Sequence, residues 1–207
     1  MAVFQTVMDA DDRLATALAD DLDGAFEALV KAHQDRLYTI ALRMLGDRGD
    51  AEEAAQDAFV RAYRALATYD TERIRELRLR GWLTTILLNR CRTVATRRTA
   101  RGPRPVSIDG DPTRSMPEPE APRAGAPAEV AERHAERERW AARIVALPVA
   151  YRAAVILRHV DGLSYPEMAA TLGRPEGTVK AQVHRGVALL RTMLEAERHR
   201  ELQEMTA

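Results

Sequence analysis

The amino-acid sequence predicts an all-α protein: two small helical domains joined by a flexible linker. Three observations carry that expectation. Alanine, leucine, glutamate and arginine dominate and are good helix formers, while aromatic residues make up only 5% of the chain. Apolar residues recur at helical spacing over long stretches, and alternating strand-like runs are scarce. Between the two periodic stretches lies RGPRPVSIDGDPTRSMPEPEAPRAGAP, where proline, glycine and charge replace the periodicity. Such a segment cannot bury enough apolar surface to offset its ordering entropy. A chain of 207 residues has room for two such domains.

The elements follow in order. Residues 1–23 read as an acidic N-terminal tail, with Asp9, Asp11, Asp12, Asp20, Asp21 and Asp23. A helix over about 24–45 carries Phe26, Leu29, Val30, Leu37, Ile40, Ala41 and Met44 at helical spacing, and Gly46 stops it. A second helix over about 50–66 has one alanine-rich face, Ala51, Ala54, Ala55, Ala58 and Ala62 with Phe59 and Leu66. Its opposite face holds Glu53, Gln56, Asp57, Arg61 and Arg64. Residues 69–80 are charged and weakly periodic, a loop with a short helical piece. A third strong helix over about 81–98 completes a first domain, 24–98, and the linker covers 99–127.

The second domain spans 128–195. Its first helix carries Val130, Trp140, Ile144, Val145 and Leu147 and is broken by Pro148. A helix over about 149–160 follows, closed by Asp161 and Gly162. Ser164 and Glu167 then have the spacing of a capping box, with Pro166 tolerated in the first turn. That short helix ends at Gly173, suited to a left-handed backbone at a helix end. Thr178 is suited to cap the next helix, whose buried stripe is Val179, Val183, Val187 and Leu190. Residues 196–207 read as a C-terminal tail.

A short helix, a glycine-containing turn and a longer helix make a helix-turn-helix. Small residues, Ala169 and Ala170, let its helices approach closely. Thr178, Lys180, Ala181, His184 and Arg185 lie at the N-terminal part of the second helix, the part that enters the major groove in such units. Arginine there can form two hydrogen bonds to guanine, and lysine can reach guanine or phosphate. An amphipathic helix pair with solvated charges is the bland alternative. The coincidence of cap, turn, small residues and basic N-terminal half favours DNA.

Composition excludes other classes. Formal net charge is +0, but the stretch 90–104 is strongly basic, so a neutral total hides a basic face. The single cysteine, Cys91, cannot form an internal disulfide or a cysteine-rich zinc site, and it reads as a helix residue without redox duty. Histidines lack metal-ligand spacing. No apolar run reaches the ~20 residues of a membrane span, and the N-terminus lacks a signal-peptide pattern. The expectation is a cytoplasmic protein that is not an enzyme, holds neither metal nor cofactor, and does not insert into membranes. Trp82 and Trp140 are expected to pack in the core.

The stretch LPVAYRAAVILRHVDGLSYPEMAATLGRPEGTVKAQVHRGVALLR closely resembles the promoter-reading C-terminal domain of bacterial sigma factors of the extracytoplasmic-function (ECF) group, in the sigma-70 family. The segments DAEEAAQDAFVRAYRAL and GWLTTILLNRCRTVATRR independently resemble that group's other domain, region 2. The resemblance implies a subunit that binds core RNA polymerase and directs promoter-specific initiation. It implies that Glu53, Gln56 and Asp57 dock on the clamp helices of the β′ subunit. It implies that Asn89, Arg90 and Thr93, with Arg80 from the preceding loop, engage the −10 element, the loop capturing a base flipped from the separated strand. The recognition helix would face the −35 element. Promoter DNA, core polymerase and the anti-sigma factor common in the family are the implied partners. Leu79 stands where the family often has phenylalanine, the loop before Trp82 is arginine-rich, and Gln182 occupies a position often basic in relatives. The competing functions are a stand-alone helix-turn-helix regulator and a helical protein-interaction adaptor. Neither needs a promoter-melting helix or a polymerase-docking face.

Overall fold

The computed structural model describes residues 2–101 and 127–206. Among them are nine helices and no strand: α1 (Ala2–Asp20), α2 (Leu22–Leu45), α3 (Arg48–Leu66), α4 (Thr71–Arg75), α5 (Leu79–Arg101), α6 (Pro127–Ala146), α7 (Val149–His159), α8 (Tyr165–Leu172) and α9 (Glu176–Thr206). Most of the expected linker lies outside the described residues; of its ends, 99–101 continue α5 and Pro127 opens α6.

Aspartates set the starts of three first-domain helices. Asp21, Asp47 and Asp70 are the N-caps of α2, α3 and α4, and their carboxylates accept from the backbone N–H of Gly24, Asp50 and Arg73. Each satisfies a donor that a helix start leaves unpaired. Gly46 closes α2 in the left-handed region at φ 73. The alanine face of α3 is buried as the pattern predicts, with Ala51, Ala54, Ala58 and Ala62 fully inaccessible. Those small side chains let α3 lie close to α2 and α5. Leu29, Leu37, Ile40 and Met44 of α2 and Leu83, Leu87 and Leu88 of α5 complete the core, each such burial stabilising by roughly 1.5–3 kcal/mol.

Three expectations change. The described residues of the expected N-terminal tail are not a tail. Residues 2–20 form α1, and Ala15 and Leu18 sink fully into the core. The acidic count of this stretch masked an apolar stripe of Leu14, Ala15, Leu18 and Leu22. The C-terminal residues also stay helical, since α9 runs on to Thr206 and Glu197 pairs with Arg143 of α6. Trp140 is not core: it is 36% exposed, with the Arg143 guanidinium 5.2 Å from its ring centre. Trp82 is partly buried and packed on the core, tilted against Tyr69.

The two domains do not stand apart. One buried cluster runs from α1 through α5 into α7, α8 and α9. Arg152 of α7, itself buried, crosses the junction and donates to the carbonyls of Val145, Leu147 and Met44. These carbonyls end α6 and α2, where the helices leave acceptors unpaired and the dipole is negative. One guanidinium therefore terminates two helices from different domains. Burial lowers its pKa from the usual arginine value.

Candidate nucleic-acid interface

The helix-turn-helix forms as its residues dictate. Ser164 and Glu167 make the reciprocal capping box of α8, with Pro166 in the first turn. Burial alone would raise the Glu167 pKa. The Ser164 hydroxyl and backbone N–H, with the charges of Arg80 and Arg78, outweigh it and hold the carboxyl below its ordinary value. Gly173 ends α8 at φ 60, and the Arg174 N–H returns to the Ala169 carbonyl at 3.1 Å. One expectation is corrected: α9 starts at Glu176, so Thr178 sits in its first turn and is not the N-cap. The N–H groups of Thr178 and Val179 already bond back to Pro175.

Val179, Val183 and Leu190 anchor α9, with Val187 partly buried beside them. Gly186 packs tightly against α7. A Cβ there would lie 2.6 Å from Val155 Cγ2 and 3.3 Å from the Tyr151 carbonyl oxygen. This packing leaves Thr178, Lys180, Ala181, His184 and Arg185 exposed. Thr178, Ala181 and Arg185 border a shallow groove whose other wall is Pro148, Ala150 and Tyr151 at the start of α7. Gln182 is half-buried in the same groove, with its side-chain oxygen unpaired.

The first-domain candidates fall into two environments. Asn89 and Thr93 are exposed on α5. The Asn89 side-chain oxygen accepts from Arg92 at 3.0 Å, and the Thr93 hydroxyl donates back to the Asn89 carbonyl. Arg80 and Arg90 are instead engaged internally. Arg80 donates to the backbone and side-chain oxygens of Asp161, which lies between α7 and α8 in the second domain. The Arg90 guanidinium, 12% exposed, lies 2.7 Å from Glu53 and 3.2 Å from Asp57. Gln56 is exposed beside them, and Asp57 also accepts from Arg61 at 2.6 Å.

Two neighbouring groups on α5, Arg92 and Cys91, are shifted chiefly by burial. Burial, and then the nearby charge of Arg174, lower the Arg92 pKa from the usual arginine value. Arg92 lies on α5 and Arg174 in the helix-turn-helix turn, so only the packing of the domains brings these like charges together. Cys91 faces the core, and burial raises its thiol to about 12, with neighbouring arginines opposing weakly. Among the described residues no cluster of histidine, cysteine, aspartate or glutamate is arranged to hold a metal. No described helix is long and apolar enough to cross a membrane.

Comparison with known proteins converges on one family. Residues 29–101 match the family described as Sigma-70 region 2, and residues 137–190 match Sigma-70, region 4. The chain is similar to the ECF RNA polymerase sigma factor SigE of Mycolicibacterium smegmatis, 34% identical over 82% of this chain, and it spans 62% of that relative's length. It is also similar to the RNA polymerase sigma-E factor of Streptomyces coelicolor, 34% identical over 83% of this chain and 86% of the relative. Among solved structures it resembles CnrH in complex with the cytosolic domain of CnrY, with a TM-score of 0.63 and 28% identity over 91% of this chain and 99% of that one. Two helical domains in this order, a helix-turn-helix in the second and relatives of this identity place the chain in the ECF group of the sigma-70 family, the sigma factors that direct promoter-specific transcription initiation.

Proposed function

We propose that this chain binds core RNA polymerase through Glu53, Gln56 and Asp57 on α3 and reads promoters at two places. The first domain engages the −10 element with Asn89 and Thr93. The second reads the −35 element with Lys180, Ala181, His184 and Arg185, Thr178 contributing from the first turn. The chain acts in the cytoplasm and carries no catalysis of its own. An anti-sigma partner, which the family resemblance implies, belongs to the same reading.

The exposed, basic N-terminal half of α9, held out by a buried valine stripe, supports this reading most directly. It can present two to three side chains to base edges while the helix start favours a phosphate. In the closed chain Arg80 is occupied by Asp161, so it reaches the −10 element only after the domains part.

A single recognition helix offers few base contacts, and the free chain has no energy source to separate strands. Free protein should therefore bind promoter duplex weakly, and tight site-specific binding should appear with core polymerase. The test is affinity for one promoter at one salt concentration, with and without core enzyme. Tight binding of the free protein to a palindromic site, unchanged by core, would overturn the reading in favour of a stand-alone regulator.

A further inference from the structure

Arg90 follows Asn89 and lies three positions before Thr93, the two residues proposed to face DNA, yet its guanidinium is committed to helix α3. It lies 2.7 Å from the Glu53 carboxylate and 3.2 Å from that of Asp57. The exposures are unequal: the Arg90 side chain is 12% exposed, Asp57 29% and Glu53 69%. The cation is thus sheltered beneath two carboxylates whose outer surfaces face solvent. Glu53 and Asp57 stand at i and i+4 on α3, where like charges repel. A planar guanidinium between them relieves that repulsion and restricts both side chains. Arg61, bonded to Asp57 at 2.6 Å, lies on the exposed side and does not reach Glu53 in this arrangement.

We propose that Arg90 is a positioning residue for polymerase docking and not a DNA contact; the proposal rests on the docking role assigned to Glu53 and Asp57. Two ordered carboxylates lose less side-chain freedom on association than two free ones. A phosphate contact would require Arg90 to leave both carboxylates and cross to the exposed side of α5, abandoning an ion pair already sheltered from water. The pairing also ties the docking helix α3 to the DNA-facing helix α5 at one point, immediately beside Asn89.

The experiment uses the full chain with purified bacterial core RNA polymerase. Core affinity is measured for the unaltered chain, Arg90→Gln, Arg90→Lys, Glu53→Gln/Asp57→Asn, and the combination of Arg90→Gln with that double variant. For each reconstituted complex the salt dependence of promoter binding is also measured. Arg90→Gln is expected to weaken core binding at least about threefold, with most of that loss absent in the Glu53→Gln/Asp57→Asn background, as for residues in direct contact. Arg90→Lys should restore part of the loss, and the salt slope should match that of the unaltered chain. Should Arg90→Gln not fold, the partial loss in Arg90→Lys provides the same comparison. Unchanged core affinity with a slope smaller by about one would make Arg90 a phosphate contact and overturn the proposal. An equal loss in both backgrounds would show a general structural effect and overturn it too. If Glu53→Gln/Asp57→Asn with Arg90 intact binds core like the unaltered chain, the docking face itself is misassigned, a failure distinguishable from the others.

Discussion

Arg36 of α2 and Asp161 of the second domain form a two-point ion pair. Arg36 Nε donates to Oδ1 at 2.6 Å and Nη2 to Oδ2 at 2.6 Å. The Asp161 side chain is 2% exposed, and Arg80 adds a second cation to it. Thr84 stitches the group together, accepting from Arg36 at 2.7 Å and donating to the Arg80 carbonyl. Asp161→Asn should therefore loosen the domain contact by about 1–3 kcal/mol, less than a fully buried pair because both arginines remain partly hydrated. Small-angle scattering of the free chain should show a larger radius of gyration. An unchanged radius would mean that the apolar interface alone holds the domains.

Gly186→Ala gains helix propensity of about 1 kcal/mol but places a Cβ 2.6 Å from Val155 Cγ2. Overpacking of this kind costs about 1–3 kcal/mol. The backbone oxygen of Tyr151 at 3.3 Å limits any shift. Net destabilisation of the second domain is expected in thermal unfolding, and Val155→Ala in the same chain should recover part of it.

Arg185 and Lys180 should separate by the kind of contact they make. Arg185→Ala is expected to cost the polymerase complex about 1–3 kcal/mol and to relax preference at one base pair. Lys180→Ala should weaken all promoter variants alike and reduce the salt slope if it meets phosphate. Binding to a panel of −35 variants reads both. A uniform loss for Arg185→Ala would reassign it to the backbone.

The capping box gives a pH dependence with a defined sign. The Glu167 carboxyl is held below its ordinary value in the folded state. Its contribution is therefore present above the ordinary glutamate range and is lost as pH falls through the folded value. Glu167→Gln should be slightly less stable than the unaltered chain near neutrality, by well under about 1 kcal/mol because the group is largely solvated. That difference should close on acidification. A difference that persists at low pH would show that packing, not charge, is lost.

Cys91 should resist thiol reagents in the native chain. Its side chain is fully buried, and burial pushes the thiol up to about 12, so little thiolate forms at mildly alkaline pH. Reaction should follow the rate of transient opening and become rapid in denaturant. Fast labelling without denaturant would contradict the packing of α5.

Much of the protein is determined by local sequence. The alanine face of α3, the Ser164–Glu167 capping box, the left-handed Gly173 and the valine stripe of α9 each depend on residues within a few positions of one another, so periodicity and cap chemistry suffice to place them. The exposed basic residues of α9 follow from the same stripe. Tertiary structure decided the rest. Helix α1 was hidden because the aspartates around its apolar stripe read as a solvated tail, and only its seat on α2, α4 and α5 reveals that stripe. The partners of Arg80 and Arg90 are as invisible locally: a guanidinium in a basic segment reads as a DNA contact until the fold brings a carboxylate to it. Asp161 is 81 residues from Arg80 and 125 from Arg36, and the Arg152 bond to the Met44 carbonyl spans 108. Electrostatic pairing depends on distance in space, which a linear pattern does not contain.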